Sequence, residues 1–378
     1  MLGLLAFLST TFVFSPVINL LLLPVAFYRL FLTNYGRDIS FLKTGHKLGM
    51  MLLLLSAILS VAVFSFVDPL VDNFEKSILG AFPYVVLIVV ALFVGMAFRR
   101  HDLIVVLLLI FLEIFVGVAE YLVGTHSFFS VEYKGQTQIG DTELLYYNRV
   151  FGLSLNSSVY AFKVLVGFVI LMAIKSELSL RIFLGCAVIV AVGFITSFNR
   201  TAIVAAVIGL MFYYAANWRV VLSGGVIGSV VGVFYLPVII ENLTRGKGEL
   251  DLSGRGFIFE EFLTILNQSP FFGNAAQKVW LQINEGLYHA HNSYIEFLVS
   301  NGIIISLLFF SGYYLLVLRG QLLVALPLLI YSVFQYGLLW GLVFHDVVFF
   351  GLMFYLLRSK CERRVPRFYP ATEKVSDA

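Results

Sequence analysis

The chain is 378 residues long, 60% hydrophobic and only 12% charged, with a mean hydropathy of +0.95 and a formal net charge of +3. Charged residues are about half as common as in a soluble domain, which excludes a conventional core inside a polar coat and turns apolar surface toward lipid. The net charge is small, its placement matters more than its size, and no nucleic-acid partner is expected.

A spanning helix needs roughly 20 apolar residues. In chain order the candidate runs are Leu2–Leu30, Leu48–Val67, Ile78–Phe98, Leu103–Leu122, Val159–Ile174, Leu180–Thr196, Ala202–Ala216, Val220–Ile240, Ile303–Leu318, Leu322–Phe344 and Val347–Leu357. The first run has no basic n-region and no small-residue cleavage site, so it reads as a retained membrane segment rather than a signal peptide. Pro16 and Pro24 interrupt it. About 30 residues is too few for two full spans, so one kinked helix is expected, and a hairpin would raise the count from eleven to twelve. The predicted fold class is therefore all-α: a polytopic transmembrane helical bundle of about eleven spans, one integral membrane domain over residues 1–378. Aromatic residues reach 16%, and some of the tyrosines and tryptophans should form interfacial belts.

Basic residues near helix ends mark the cytoplasmic side. Arg358, Lys360, Arg363, Arg364 and Arg367 follow the last run, so the C-terminus is placed inside. Counting back puts Arg319, Arg219, the Lys175–Arg181 turn, Arg99, Arg100, Arg29, Arg37, Lys43 and Lys47 on that same side, with the N-terminus outside. Three outward segments remain. Gly124–Ser158 carries Glu132, Lys134, Asp141, Glu143 and Arg149; Phe198-Asn199-Arg200 is a short turn; Glu241–Asn301 is a loop of about 60 residues, a length usually functional. Within the last, Ile258, Phe262, Ile265 and Leu266 share one helical face, and Glu260, Glu261 and Thr264 the other. This pattern predicts an amphipathic helix lying on the membrane and ended by Pro270 and Gly273.

The densest polar cluster is Tyr288-His289-Ala290-His291-Asn292-Ser293-Tyr294-Ile295-Glu296. Imidazole titrates near neutrality and suits proton abstraction, and a neighbouring amide can orient the ring or a substrate hydroxyl. The plainer reading is a polar helix start at the interface. A zinc site is disfavoured, since His-x-His supplies two ligands and no outward cysteine is available; Cys186 lies in an apolar run and Cys361 in the basic tail, which also argues against a disulfide. Arg200 and Arg255 are candidates to clamp a lipid pyrophosphate through their forked donors, with Arg149 a third; interfacial snorkelling is the competing explanation. Glu113 and Lys163 lie deep in apolar runs and can pair across the fourth and fifth spans, while Glu120 lies near the outer end of its run and can reach the site.

Thr196-Ser-Phe-Asn-Arg200-Thr-Ala resembles the short Ser-x-x-Arg turn of the bacterial O-antigen ligase and polymerase superfamily. The stretch from Arg255 through Pro270 and Gly273 to His289-Ala-His291-Asn292-Ser-Tyr-Ile-Glu-Phe-Leu, ending Asn301-Gly302-Ile303, is similar to its signature outer loop. Arg149-Val-Phe-Gly152 with Asn156-Ser157 resembles the weaker motif before the fifth span. The resemblance covers about the middle half of the chain. It implies a glycosyltransferase of the bacterial inner membrane with a periplasmic active site, using an undecaprenyl-diphosphate-linked oligosaccharide as donor and a glycan as acceptor. It further implies inversion at the sugar, no metal and no cofactor, with a chain-length regulator as a possible protein partner. Carried onto this sequence, Arg200 and Arg255 would hold the diphosphate and His291 would be the base, with His289 the second candidate and Asn292 in support.

A polymerase and a ligase differ only in acceptor; divergence outside the motifs and the modest loop favour polymerase. A transporter of polysaccharide or lipid-linked oligosaccharide is the reading from another class. It should place polar groups at the bilayer midplane, whereas here they gather near one face.

Overall fold

The computed structural model describes residues 1–13, 16–32, 44–71, 78–129, 149–215, 255–283, 286–319 and 321–362. The expected run Val220–Ile240, most charges of the 124–158 loop and the tail from Arg363 onward lie outside these residues. Twelve helices are described: α1 (Leu2–Leu8), α2 (Pro16–Phe27), α3 (Thr44–Phe66), α4 (Tyr84–Met96), α5 (Arg100–Val123), α6 (Ser157–Ile174), α7 (Leu180–Ser197), α8 (Arg200–Tyr214), α9 (Arg255–Gln268), α10 (Ser293–Tyr313), α11 (Leu322–Phe334) and α12 (Phe344–Glu362). Strands β1 (Leu281–Ile283) and β2 (Gly286–Tyr288) form one small antiparallel hairpin. Five of the described helical stretches are long and apolar enough to cross a bilayer, and shorter apolar helices accompany them. The protein is an all-α, multi-pass membrane bundle.

Leu108, Leu112 and Phe115 are exposed on α5, while Leu103, Val106, Ile110 and Ile114 are buried on its other side. That division fits a helix with one side on neighbours and one on lipid. The most enclosed helix is α6, with only three of its eighteen residues outside the buried class, Ser158, Phe168 and Ala173. Around it pack α5, α7, α8, α11 and α12.

Several of the basic turns meet at one end of the bundle, while Arg37, Lys43 and Arg219 lie outside the described residues. Arg29 pairs with buried Asp102, and Arg100 with Glu177 at 2.7 Å. Glu177 also takes the Tyr355 hydroxyl, Lys175 bonds Tyr214, and Arg358 donates to the Phe98 carbonyl at 2.8 Å. The first run departs from the expected kinked helix. It breaks after Leu8, and the Met1 amine reaches Asp102 at 3.5 Å, the same carboxylate that Arg29 uses. Both ends of the run therefore meet at the basic end, and the N-terminus shares that end with Arg29 rather than lying opposite it. The cause is local. Ser9, Thr10 and Thr11 turn their hydroxyls back onto the carbonyls of Ala6, Phe7 and Leu8, competing with helix propagation. Phe12 then bonds the Leu153 carbonyl at 3.0 Å. The turn of this hairpin sits beside Glu113 and Lys163. Those two pair at 3.3 Å, as expected, with Ser154 Oγ donating to Glu113 at 2.6 Å and Lys163 donating to the Thr10 carbonyl at 3.4 Å.

The run Leu322–Phe344 also departs from a single span. At 13 residues, α11 rises about 20 Å, short of a bilayer core of roughly 30 Å. Residues 335–343 follow without regular structure, and buried side chains hold them. Asp346 accepts the N–H groups of Leu339 at 2.7 Å, Trp340 at 2.6 Å and Gly341 at 2.8 Å. Ser293 and Ser332 accept those of Gly337 and Leu338, both at 3.0 Å. These five backbone donors outside the helix ladder so gain side-chain acceptors, which a buried segment requires.

The amphipathic helix forms as expected but lies on protein. In α9 the stripe of Ile258, Phe262 and Ile265 is buried against Val279, Ala290 and Val299, and Glu260, Glu261 and Thr264 are exposed. The turn after α9 locks onto a break in α10. Gly273 and Gly302 both sit in the left-handed region, at φ 61° and 70°. A Cβ on Gly302 would strike the Phe271 carbonyl, and one on Gly273 the Val299 carbonyl. Ile303 N–H reaches the Pro270 carbonyl and Asn274 N–H the Val299 carbonyl, each at 2.9 Å. Two glycines thus fasten the loop to the helix that follows the histidines.

Candidate active site

The β1–β2 hairpin delivers the chain to His289, opposite the basic end of α10. Three side chains fix residues 289–292. Glu296, 1% exposed, accepts the Ala290 N–H at 2.9 Å and the Val279 N–H at 3.3 Å, tying two segments to α10. Asn292 caps α10, accepting from Tyr294 at 2.9 Å and Ile295 at 3.0 Å. His289 Nδ1 accepts the His291 N–H at 3.1 Å. Between these ties His291 adopts φ 50°, a left-handed conformation that a residue with a side chain keeps only where surroundings over-determine it. The His289 tie also sets its tautomer. With Nδ1 accepting a backbone N–H, the neutral ring carries its proton on Nε2.

An aromatic wall surrounds the pair. The His289 ring lies 4.3 Å from that of His291, 4.9 Å from Tyr336, 5.8 Å from Trp280 and 6.3 Å from Trp340. Tyr336 and Trp340 stack on each other at 4.4 Å. Lys278 Nζ stands 5.3, 5.4 and 5.1 Å from the rings of Tyr84, Tyr336 and Trp340. Tyr84 opens α4 and bonds both the Tyr336 hydroxyl, at 2.7 Å, and the Leu339 carbonyl. Four separate segments therefore meet here. Flat apolar faces beside a few placed polar groups are the usual make-up of a small-ligand site.

The arginines occupy neighbouring segments. Arg200 is the first residue of α8, behind a left-handed Phe198 and an Asn199 cap that accepts from Ala202 at 3.1 Å. The Arg149 segment joins the same turn, because Val150 N–H reaches the Thr196 carbonyl at 3.2 Å, and His126 Nδ1 contacts the Arg149 carbonyl at 2.8 Å. Glu120 is buried and accepts the N–H groups of Phe128 at 2.9 Å, Phe151 at 3.3 Å and Gly152 at 2.7 Å. Its oxygens hold this loop in place, a positioning part. Arg255 opens α9, whose buried stripe supports Ala290 between the two histidines. Helix α11 links the two groups of segments. It packs against α8, anchors to α6 through the Tyr331 hydroxyl on the Ser158 carbonyl at 3.0 Å, and leads into Tyr336.

Lys278, Trp280, Tyr336, Trp340, Glu296 and Asp346 carried no assignment from sequence. Tyr336 and Trp340 were concealed inside a hydropathic run, where Gly337, Gly341 and Asp346 were the signal of a break. Among the described residues no three of His, Cys, Asp and Glu gather as a metal site, and Cys186 is a free thiol.

Residues 185–310 match the family model described as O-Antigen ligase. No curated protein and no solved structure matches the chain. The matched stretch runs from α7 into α10 and contains Arg200, Arg255, His289, His291 and Asn292, with Arg149 and Glu120 outside it. Over this stretch, about a third of the chain, the protein is similar to the O-Antigen ligase family.

Proposed function

We propose that the protein polymerises undecaprenyl-diphosphate-linked repeat units of a surface polysaccharide, as a metal-independent inverting glycosyltransferase of the bacterial inner membrane. In this reading the basic end is cytoplasmic and the histidine end periplasmic, as basic turns prefer. The observation that carries it is the His289–His291 pair, held in a strained turn within an aromatic wall, in the segment that matches the family. The acceptor hydroxyl loses its proton to His291 as its oxygen bonds the anomeric carbon. The bond from that carbon to the phosphate oxygen breaks on the opposite face, which inverts configuration. Arg200 and Arg255, with Arg149, take the negative charge that grows on the departing diphosphate. His291 suits the base better than His289, whose Nδ1 is occupied by a backbone N–H.

The second reading is transfer to the lipid A core, which would make the enzyme a ligase; the family match is compatible with both. A deletion strain separates them. Loss of a polymerase leaves single repeat units joined to core; loss of a ligase leaves long glycans on the polyprenyl carrier and bare core. Normal surface glycan in the deletion strain, with no lipid-linked intermediate accumulating, would overturn both.

A further inference from the structure

Lys278 lies within the matched stretch without an assigned role, yet it stands one aromatic ring away from His289. It is 8% exposed, and its ammonium faces Tyr84, Tyr336 and Trp340. Among the described residues no acceptor lies within hydrogen-bond distance of its Nζ and no carboxylate within ion-pair distance. The two acids of the neighbourhood are engaged elsewhere, Glu296 on Val279 and Ala290, Asp346 on Leu339, Trp340 and Gly341. Ring faces soften the cost of burying a cation but accept none of its three N–H donors. Among the described residues the other buried lysine is Lys163, which has a carboxylate at 3.3 Å and needs no ligand.

We propose that Lys278 is a substrate contact that takes an oxyanion of the lipid-linked glycan while Trp280, Tyr336 and Trp340 flank the attached sugar. The proposal rests on the glycosyltransferase reading. The oxyanion has two sources, a diphosphate oxygen of the donor or a carboxylate on an acidic sugar, and the chemistry at the ammonium is the same for both.

The test uses the full chain in lipid nanodiscs, titrated with inorganic pyrophosphate, with glucuronate and with neutral glucose, for wild type, Lys278→Gln, Lys278→Arg and Arg200→Ala. Loss of one charge-assisted hydrogen bond weakens binding by roughly 10–100-fold. Lys278→Gln should lose that much affinity for one of the two anions, Lys278→Arg should retain most of it, and glucose should not distinguish the variants. Loss confined to pyrophosphate assigns the donor diphosphate; loss confined to glucuronate assigns a sugar carboxylate. Unchanged affinity for both anions in a Lys278→Gln protein with wild-type unfolding temperature overturns the proposal. If Arg200→Ala alone then loses pyrophosphate, the glycosyltransferase reading stands without Lys278. If wild type binds neither anion, both fall. Should Lys278→Gln not fold, reductive methylation of wild type serves instead. Protection of Lys278 by either anion, read by mass spectrometry, supports the contact, and equal labelling with and without them overturns it.

Discussion

Two charged clusters share this apolar bundle and are built on different plans. Deep inside, Lys163 and Glu113 meet each other at 3.3 Å, with Ser154 and Thr10 adding hydrogen bonds and Phe7 lying 4.4 Å from the ammonium. Opposite charges from two helices, with a carbonyl from the hairpin turn, hold those elements together. At the histidine end the acids face inward to backbone N–H groups, and Lys278 faces rings. There the carboxylates shape loops and leave a cation and two imidazoles beside a ring-lined space. A buried charge is therefore diagnosed by its partner. A charge paired within the protein reads as structure; one without an ion-pair partner, set among ring faces next to catalytic candidates, reads as function. Depth in the bundle does not make the distinction: the sequence marks Lys163 by its depth and gives Lys278 no role.

The largest effect that would sharpen this contrast is at His291. A general base contributes roughly 10²–10⁴-fold to rate. His291→Ala should therefore lose at least that much glycan transfer per molecule at normal membrane abundance, measured by complementation of a deletion strain normalised by immunoblot. His289→Ala should be milder, since its Nδ1 serves the turn. A dead His289→Ala beside an active His291→Ala would move the base to His289, and two active variants would remove the site.

The deep pair should respond in stability instead. Removing one member of a buried ion pair costs about 3–5 kcal/mol because the other is left uncompensated. Lys163→Met alone should lower unfolding temperature and abundance, while the double variant Glu113→Gln with Lys163→Met should recover most of the loss. Surviving protein should transfer glycan at a normal rate in each case. If Lys163→Met is stable and inactive, the contrast between the two clusters collapses and the midplane pair belongs to the mechanism.

The sequence displayed what periodicity and motif can display. Long runs such as Leu103–Leu122 and Leu180–Thr196 emerged as helices because most residues in them, charged ones such as Glu113 and Glu120 apart, are apolar. The His-x-His-Asn turn and the arginine at the start of α8 were equally visible, since their residue types are out of place beside apolar runs. Two kinds of feature stayed hidden. Hydropathy does not see a chain reversal made by hydroxyls returning to their own carbonyls, so Ser9-Thr10-Thr11 passed as part of one helix. Nor does it see aromatic residues that leave a helix to line a site, because Tyr336 and Trp340 score as membrane residues wherever they point. The resting place of α9 was ambiguous for a related reason: an apolar stripe fits lipid and fits a protein groove, and the Gly273–Gly302 clasp that decides between them is a tertiary contact.

The smallest effect tests where the site ends and its scaffold begins. Asn292 stands next to His291, and its side-chain oxygen accepts two N–H groups at the start of α10. If capping is its whole task, Asn292→Ala should cost about 0.5–2 kcal/mol, seen as a lower unfolding temperature and somewhat less protein, with turnover per molecule nearly intact. Asn292→Asp should keep both stability and turnover, because a carboxylate oxygen caps as well as an amide oxygen. The amide nitrogen is what the two side chains do not share. A stable Asn292→Asp that loses transfer would show that this nitrogen donates to the substrate or to His291, and that the catalytic site extends into the cap of the helix that carries it.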